Sequence, residues 1–219
     1  MKTLKKPSTP LAELWLAWHK SYHKACLSLK DKLDIATMTK THLSAHTPEA
    51  VVQLFNQTFL STYNTELIRG EDEPIYLPET SDSPHHKIIF AHGFFASALH
   101  EIAHWCVAGK ERRLLEDFGY WYEPDGRSSE RQAEFERVEV KPQALEWIFA
   151  YSAGFDFQFS ADNLALNNQP SAQFKQAVFE QVQTYFESGL PKRAKLWSDT
   201  LISHYRPGET LTLSEFKFD

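Results

Sequence analysis

Apolar and polar positions recur along this chain with several distinct periods, and each period predicts a different element. Leu11, Leu14, Trp15, Trp18 and Tyr22 follow an i, i+3, i+4, i+7, i+11 spacing, so residues 11–30 read as an amphipathic helix. Residues 31–46 have weak periodicity and read as a linker. A stronger start lies at Thr47-Pro48-Glu49, because threonine caps, proline suits the first turn and glutamate favours the positive helix end. This helix should run to about Leu67 and stop at Gly70. The acidic, proline-rich stretch EDEPIYLPETSDSP leaves room for a short strand at Ile75–Leu77. KIIFAH (87–92) is a compact β-favouring run broken by Gly93. Residues 95–108 follow as a helix with Gly109 at its C-terminal cap. GYWYE (119–123) reads as a strand and PDG (124–126) as a turn. Ser128 or Ser129 begins a helix that Pro142 kinks or splits, with a second helical stretch reaching about Ala153. Residues 171–188, closed by Gly189-Leu190-Pro191, and 192–204 complete the series. The fold class is α+β, helix-dominated, with a small sheet.

Composition narrows this picture. A length of 219 residues suits one domain, or one domain with an appendage. Apolar residues at 42% and charged residues at 24% exclude wholesale disorder. No run approaches the roughly 18 uninterrupted apolar residues of a transmembrane helix. The basic start MKTLKKPSTP is followed by Glu13 and His19 rather than a clean apolar core, so no secretory signal is expected. Cys26 and Cys106 are the two cysteines, too few for a disulfide framework, and a reducing cytoplasm is the expected compartment. The net charge of −6 argues against a general nucleic-acid binder.

The charge is unevenly spread. Residues 1–47 carry eight lysines against Glu13, Asp31 and Asp34, a balance of +5, which leaves −11 for the rest. We therefore divide the chain into a basic helical extension and linker, 1–47, and a domain, 48–219. The helix at 11–30 either packs on that domain or serves as a docking arm for an acidic partner.

Chemistry concentrates in His100-Glu101-Ile102-Ala103-His104, an HExxH. Residues four apart on a helix lie about 40° apart and one turn along the axis. Both imidazoles can then converge on one ion, with Glu101 beside them facing a metal-bound water. The alternative is two ordinary histidines on a helix. A three-ligand site needs one more donor. Gln132, Glu136, Glu139, Gln143 and Glu146 follow at spacings of 4, 3, 4 and 3, one continuous polar stripe if the segment is helical. Alone, such a stripe is a solvated face; after an HExxH it is the natural donor. Glu139 is favoured, then Glu146, then Glu136, with His204 a weaker option. Cys106 lies about 200° around the helix from the ligand face and reads as a core thiol. His92 reads as a strand-end histidine that could approach the site, and Trp121 and Tyr122 as strand core or pocket wall. Lys110, Arg112 and Arg113 suit the negative end of the helix dipole. No Walker loop, GxGxxG, GxSxG or CxxC is present.

Two histidines and one carboxylate fit two chemistries. Zinc with an open position lowers the pKa of its water to about 7, and Glu101 would act as general base in a peptidase. Iron(II) held the same way leaves positions for oxygen and substrate, as in a hydroxylase.

The blocks RGEDEPIYLP (69–78), IIFAHGFFASALHEIAHWCVAGKERRLLEDFGYWYEPDGR (88–127), QAEFERVEVKPQALEWIFAYSAGF (132–155) and DNL (162–164) resemble the elongation factor P hydroxylase family. The resemblance spans roughly 48–205 and leaves 1–47 as an addition. It implies a non-haem, Fe(II)-dependent monooxygenase that uses molecular oxygen to hydroxylate the lysylated lysine of elongation factor P. By position, His100 and His104 fall on the family's metal ligands, and the carboxylate lies within VEVKPQALEW. Glu101 becomes a proton-handling or supporting group rather than a peptidase base. The resemblance further implies a zincin-type shape, and the sequence lacks the many short strands of a jelly roll. Lys87, Lys110, Arg112, Arg113 and Arg127 are candidates for contacting an acidic protein partner.

Overall fold

A computed structural model of the chain describes residues 46–71, 73–91, 93–117, 129–160 and 170–217. The elements run α1 (Pro48–Tyr63), β1 (Thr65–Arg69), β2 (Ile75–Leu77), β3 (His86–Phe90), α2 (Phe95–Val107), α3 (Ser129–Ser152), α4 (Ala172–Ser188) and α5 (Lys192–Tyr205), with single 3₁₀ turns at Arg112–Leu114 and Leu213–Glu215. This is the α+β, helix-dominated class expected. The expected 11–30 helix, the GYWYE strand and its turn, His92, Trp121, Tyr122 and Arg127 lie outside the described residues.

Helix α1 starts as its residues dictate: the Thr47 hydroxyl accepts from the Ala50 amide at 3.1 Å and proline occupies the first turn. It ends four residues before the expected Leu67. Asn64 closes it in the left-handed region, φ 50°, a conformation asparagine tolerates better than most residues. Thr65–Arg69 then form β1 because β3 lies alongside to pair with them, and tertiary pairing outweighs helical periodicity.

The sheet has the order β1-β3-β2, with β1 parallel and β2 antiparallel to β3. Ile88 of β3 pairs with both Leu67 and Tyr76. Both edges are occupied, which removes the hazard of unpaired strand backbone. On one side, the Asn56 side chain of α1 donates to the Leu67 carbonyl at 3.3 Å and accepts from its amide at 2.7 Å. On the other, Tyr76 and Asp117 exchange backbone bonds of 2.8 and 3.0 Å. The chain then turns sharply into α2 through Gly93, whose φ of 64° is a backbone conformation that favours glycine.

Helix α2 lies between the sheet and α3. Leu99, Ile102, Ala103 and Cys106 are buried, and Trp105 meets Phe55, Phe59 and Tyr63 edge to face. Its C-terminus differs from expectation. Gly109 takes no left-handed conformation; Ala108 ends the helix in extended backbone. The terminal carbonyls are instead met by Arg193 from α5, whose Nη2 donates to Trp105, Cys106 and Ala108 at 2.8, 3.2 and 2.7 Å. The guanidinium also stacks 4.7 Å from the Trp105 ring.

Helix α3 settles one half of a second expectation, that Pro142 kinks or splits the helix. Pro142 lies inside it without splitting it. Proline lacks the N–H that would bond the carbonyl of Val138, a loss of about 3 kcal/mol in an exposed helix. Here residues 142–150 are all buried, packed by α2, α4 and α5, and that burial holds the helix through the gap. Trp147 anchors the far side, stacked on Phe157 at 5.1 Å. Among the described residues no helix is long and apolar enough to cross a membrane.

Candidate metal centre

Helices α2 and α3 face each other across the HExxH, and three donor atoms meet there. His100 Nε2 and His104 Nε2 are 2.9 Å apart. Glu139 Oε2 lies 3.4 Å from His104 Nε2 and 3.9 Å from His100 Nε2. The three form one potential ligand cluster. Donors held about 2.1 Å from a first-row divalent ion lie about 3.0–3.4 Å from one another, as the bond lengths require. The observed triangle fits such an ion with small adjustment.

The chemistry of the donor set also fits. Glu139 is 3% exposed, and a carboxylate so buried needs compensation by charge or hydrogen bonds. Three carboxylates, Glu101, Glu139 and Glu146, lie close enough to His100 to raise its pKa. A divalent cation would balance that excess. The histidine side chains keep 28% and 15% exposure, so the ion position can be reached from outside.

Electrostatics sort the groups. Burial pushes the His100 imidazole down, but the charge and hydrogen bond of Glu146, then Glu139 and Glu101, carry it up to about 10. Burial holds the Glu101 carboxyl above the ordinary carboxylate range; His100 and His104 pull it down, and Glu139 and Glu146 push it back up. Glu101 turns toward the sheet, into a cleft lined also by His104, Tyr76, Ile88, Arg113 and Asp117. A group held this way is suited to keeping a proton beside the ion position.

The stripe on α3 is not a solvated face. Glu139, Gln143 and Glu146 are buried, and its members divide the work. Glu139 joins the histidines. Glu146 Oε2 accepts from His100 Nδ1 at 2.8 Å. Gln143 exchanges bonds of 2.6 and 3.2 Å with the Ser160 backbone. Glu136 accepts from the Ser171 hydroxyl at 2.7 Å, and that hydroxyl in turn caps α4. His204 is exposed on α5 against Tyr205 and stands outside the cluster. His85 and His86 bond Asn64 and the Glu79 amide. Cys106 is a core thiol, as expected, pushed up to about 12 by burial.

Arg193 escaped the sequence reading, although a signal existed. Lys192 and Arg193 begin α5, where the helix dipole disfavours cations, and such a placement points to a partner elsewhere.

Comparison with known proteins bears on the reaction, which donor types leave open. The model of the family described as elongation factor P hydroxylase matches residues 54–216. A protein of Haemophilus influenzae named elongation factor P lysine hydroxylase is 58% identical over 171 residues, covering 78% of this chain and 96% of that protein. The matched family stretch contains the HExxH and the whole α3 stripe and begins after the basic N-terminal segment.

Proposed function

The chain belongs to the elongation factor P hydroxylase family, and we propose that it hydroxylates the modified lysine of elongation factor P as an iron-dependent monooxygenase. His100, His104 and Glu139 would hold the ion. The observation that carries this reading is the triangle of 2.9, 3.4 and 3.9 Å formed by their donor atoms, in a chain of a hydroxylase family. Family membership favours oxygen chemistry over the zinc peptidase that an HExxH alone suggests. Iron(II), when bound, supplies activation of molecular oxygen for insertion into a C–H bond.

The protein's own part is to position and to manage protons. Two imidazoles and one carboxylate present one face of donors and leave the opposite side for co-substrate and lysine side chain. Glu101, whose carboxyl burial holds above the ordinary carboxylate range, lines the cleft beside His104 and is placed to give or take a proton there. A residue in that role typically contributes 10²–10⁴-fold to rate, so Glu101→Gln should retain metal and lose turnover. The domain we assign to this chemistry is 48–219, with 1–47 a basic appendage. Arg112 and Arg113 line the cleft and suit an acidic protein surface. The cytoplasm, where a translation factor is modified, is the compartment we assign.

The test is direct. Protein purified without oxygen should contain iron, and reaction with lysylated elongation factor P should add the mass of one oxygen atom. His104→Ala should lose both. Zinc as the native metal, with peptide cleavage and no oxygen transfer, would refute the reading.

A further inference from the structure

We infer that Glu146 is the positioning carboxylate of this centre: it holds His100 in the tautomer that points Nε2 at the ion position, and it does not bind the ion itself. The inference rests on the metal reading above and adds a role to it.

The argument begins with the 2.8 Å contact between His100 Nδ1 and Glu146 Oε2. An ionised carboxylate only accepts, so Nδ1 must carry the proton. Nε2 is then the nitrogen left to give its lone pair to an ion, which displaces any proton there on binding. That nitrogen is the one 2.9 Å from His104 Nε2 and 3.9 Å from Glu139 Oε2. The two ring nitrogens point to opposite sides of the imidazole, so the oxygen engaged at Nδ1 faces away from an ion at Nε2.

Helix geometry supports the division. Glu139 and Glu146 are seven residues apart, about 10.5 Å along the α3 axis, and share one face. Their carboxylates bracket the His100 ring, Glu146 Oε2 2.8 Å from Nδ1 and Glu139 Oε2 3.9 Å from Nε2. Gln143, between them, is committed to Ser160. Glu146 is 6% exposed, so packing limits its freedom to swing toward the ion. A carboxylate on the far nitrogen of a ligating histidine fixes ring orientation and raises its basicity as a ligand.

The experiment is a Co²⁺ titration of wild type, Glu146→Ala, Glu146→Gln and His104→Ala, followed by visible absorption, with thermal melts of the metal-free proteins as a check on folding. Glu146→Ala should bind Co²⁺ 10–100-fold more weakly, in line with loss of a histidine-orienting partner, while its absorption bands keep the wild-type coordination. Glu146→Gln, isosteric and still an acceptor, should recover part of the loss. In the zinc-loaded protein, a downfield His100 Nδ1 proton resonance should be present in wild type and absent in Glu146→Ala. Wild-type affinity in both Glu146 variants would overturn the role, as would a spectrum that reports one ligand fewer. If instead wild type binds no Co²⁺, or His104→Ala binds it as tightly as wild type, the metal reading itself fails and the inference with it.

Discussion

Helices α2 and α3 serve the same ion position by different means. On α2 the two histidines belong together because they are one turn apart; any straight helix would present them so. On α3 the polar side chains share a stripe with no internal distinction among them, and four of them acquire their tasks from whatever stands opposite. Glu139 is level with both histidines, Glu146 with the far edge of one, Gln143 with Ser160 and Glu136 with the cap of α4. Local spacing thus encodes the first half of the centre, and packing selects the second half from a set of chemical equals.

The contrast is sharpest at neighbouring rungs of that stripe. If Glu139 is the third ligand, as proposed, the metal affinity of Glu139→Ala should fall by more than the roughly 100-fold that an orienting partner contributes. Glu136→Ala should keep full metal content and lose about 1–3 kcal/mol of stability, because Ser171 is left without its acceptor. Metal analysis and urea denaturation of the two proteins decide the matter; metal loss in Glu136→Ala with retention in Glu139→Ala would exchange their roles.

A smaller effect probes how α2 is held. Arg193→Ala removes three charged hydrogen bonds and a ring contact at the end of the helix, and we expect about 2–4 kcal/mol of destabilisation. Arg193→Lys should recover only part, since an ammonium cannot reproduce the planar fork. Equal stability of Arg193→Ala and wild type in urea would show that α2 needs no external cap.

The smallest effect lies one residue from Trp105. Burial lifts the Cys106 thiol from 9.0 to about 12, against the pull of Arg193 and Arg113. An unfolded thiol ionises first, so this group takes away stability as pH rises from 9.0 toward 12 and does nothing below. In a Cys26→Ser background, Cys106 should resist alkylation at pH 8.5 until the protein unfolds. Rapid labelling of the native state would place the thiol at the surface.

What could be read from residues alone follows the same division. The HExxH, its helix, the Thr47 cap, the strand at Ile75–Leu77 and the last two helices all rest on patterns within a few residues, and the structure places them where expected. Strand β1 did not, because Thr65–Arg69 continue a helical pattern and turn to strand only beside β3. The cap at Gly109 was misplaced because its substitute, Arg193, comes from more than eighty residues away. Glu139 could be ranked first from its place in the stripe. That Glu146 meets His100 from the other side could not, since it depends on the relative height of two helices.

Pro142 lies between Glu139 and Glu146 on α3. On an uninterrupted ladder both acids would ride one stiff rod, and any shift of one would drag the other. With a rung missing between them, it is the packing of residues 142–150 by the neighbouring helices that keeps the two acids in register around His100.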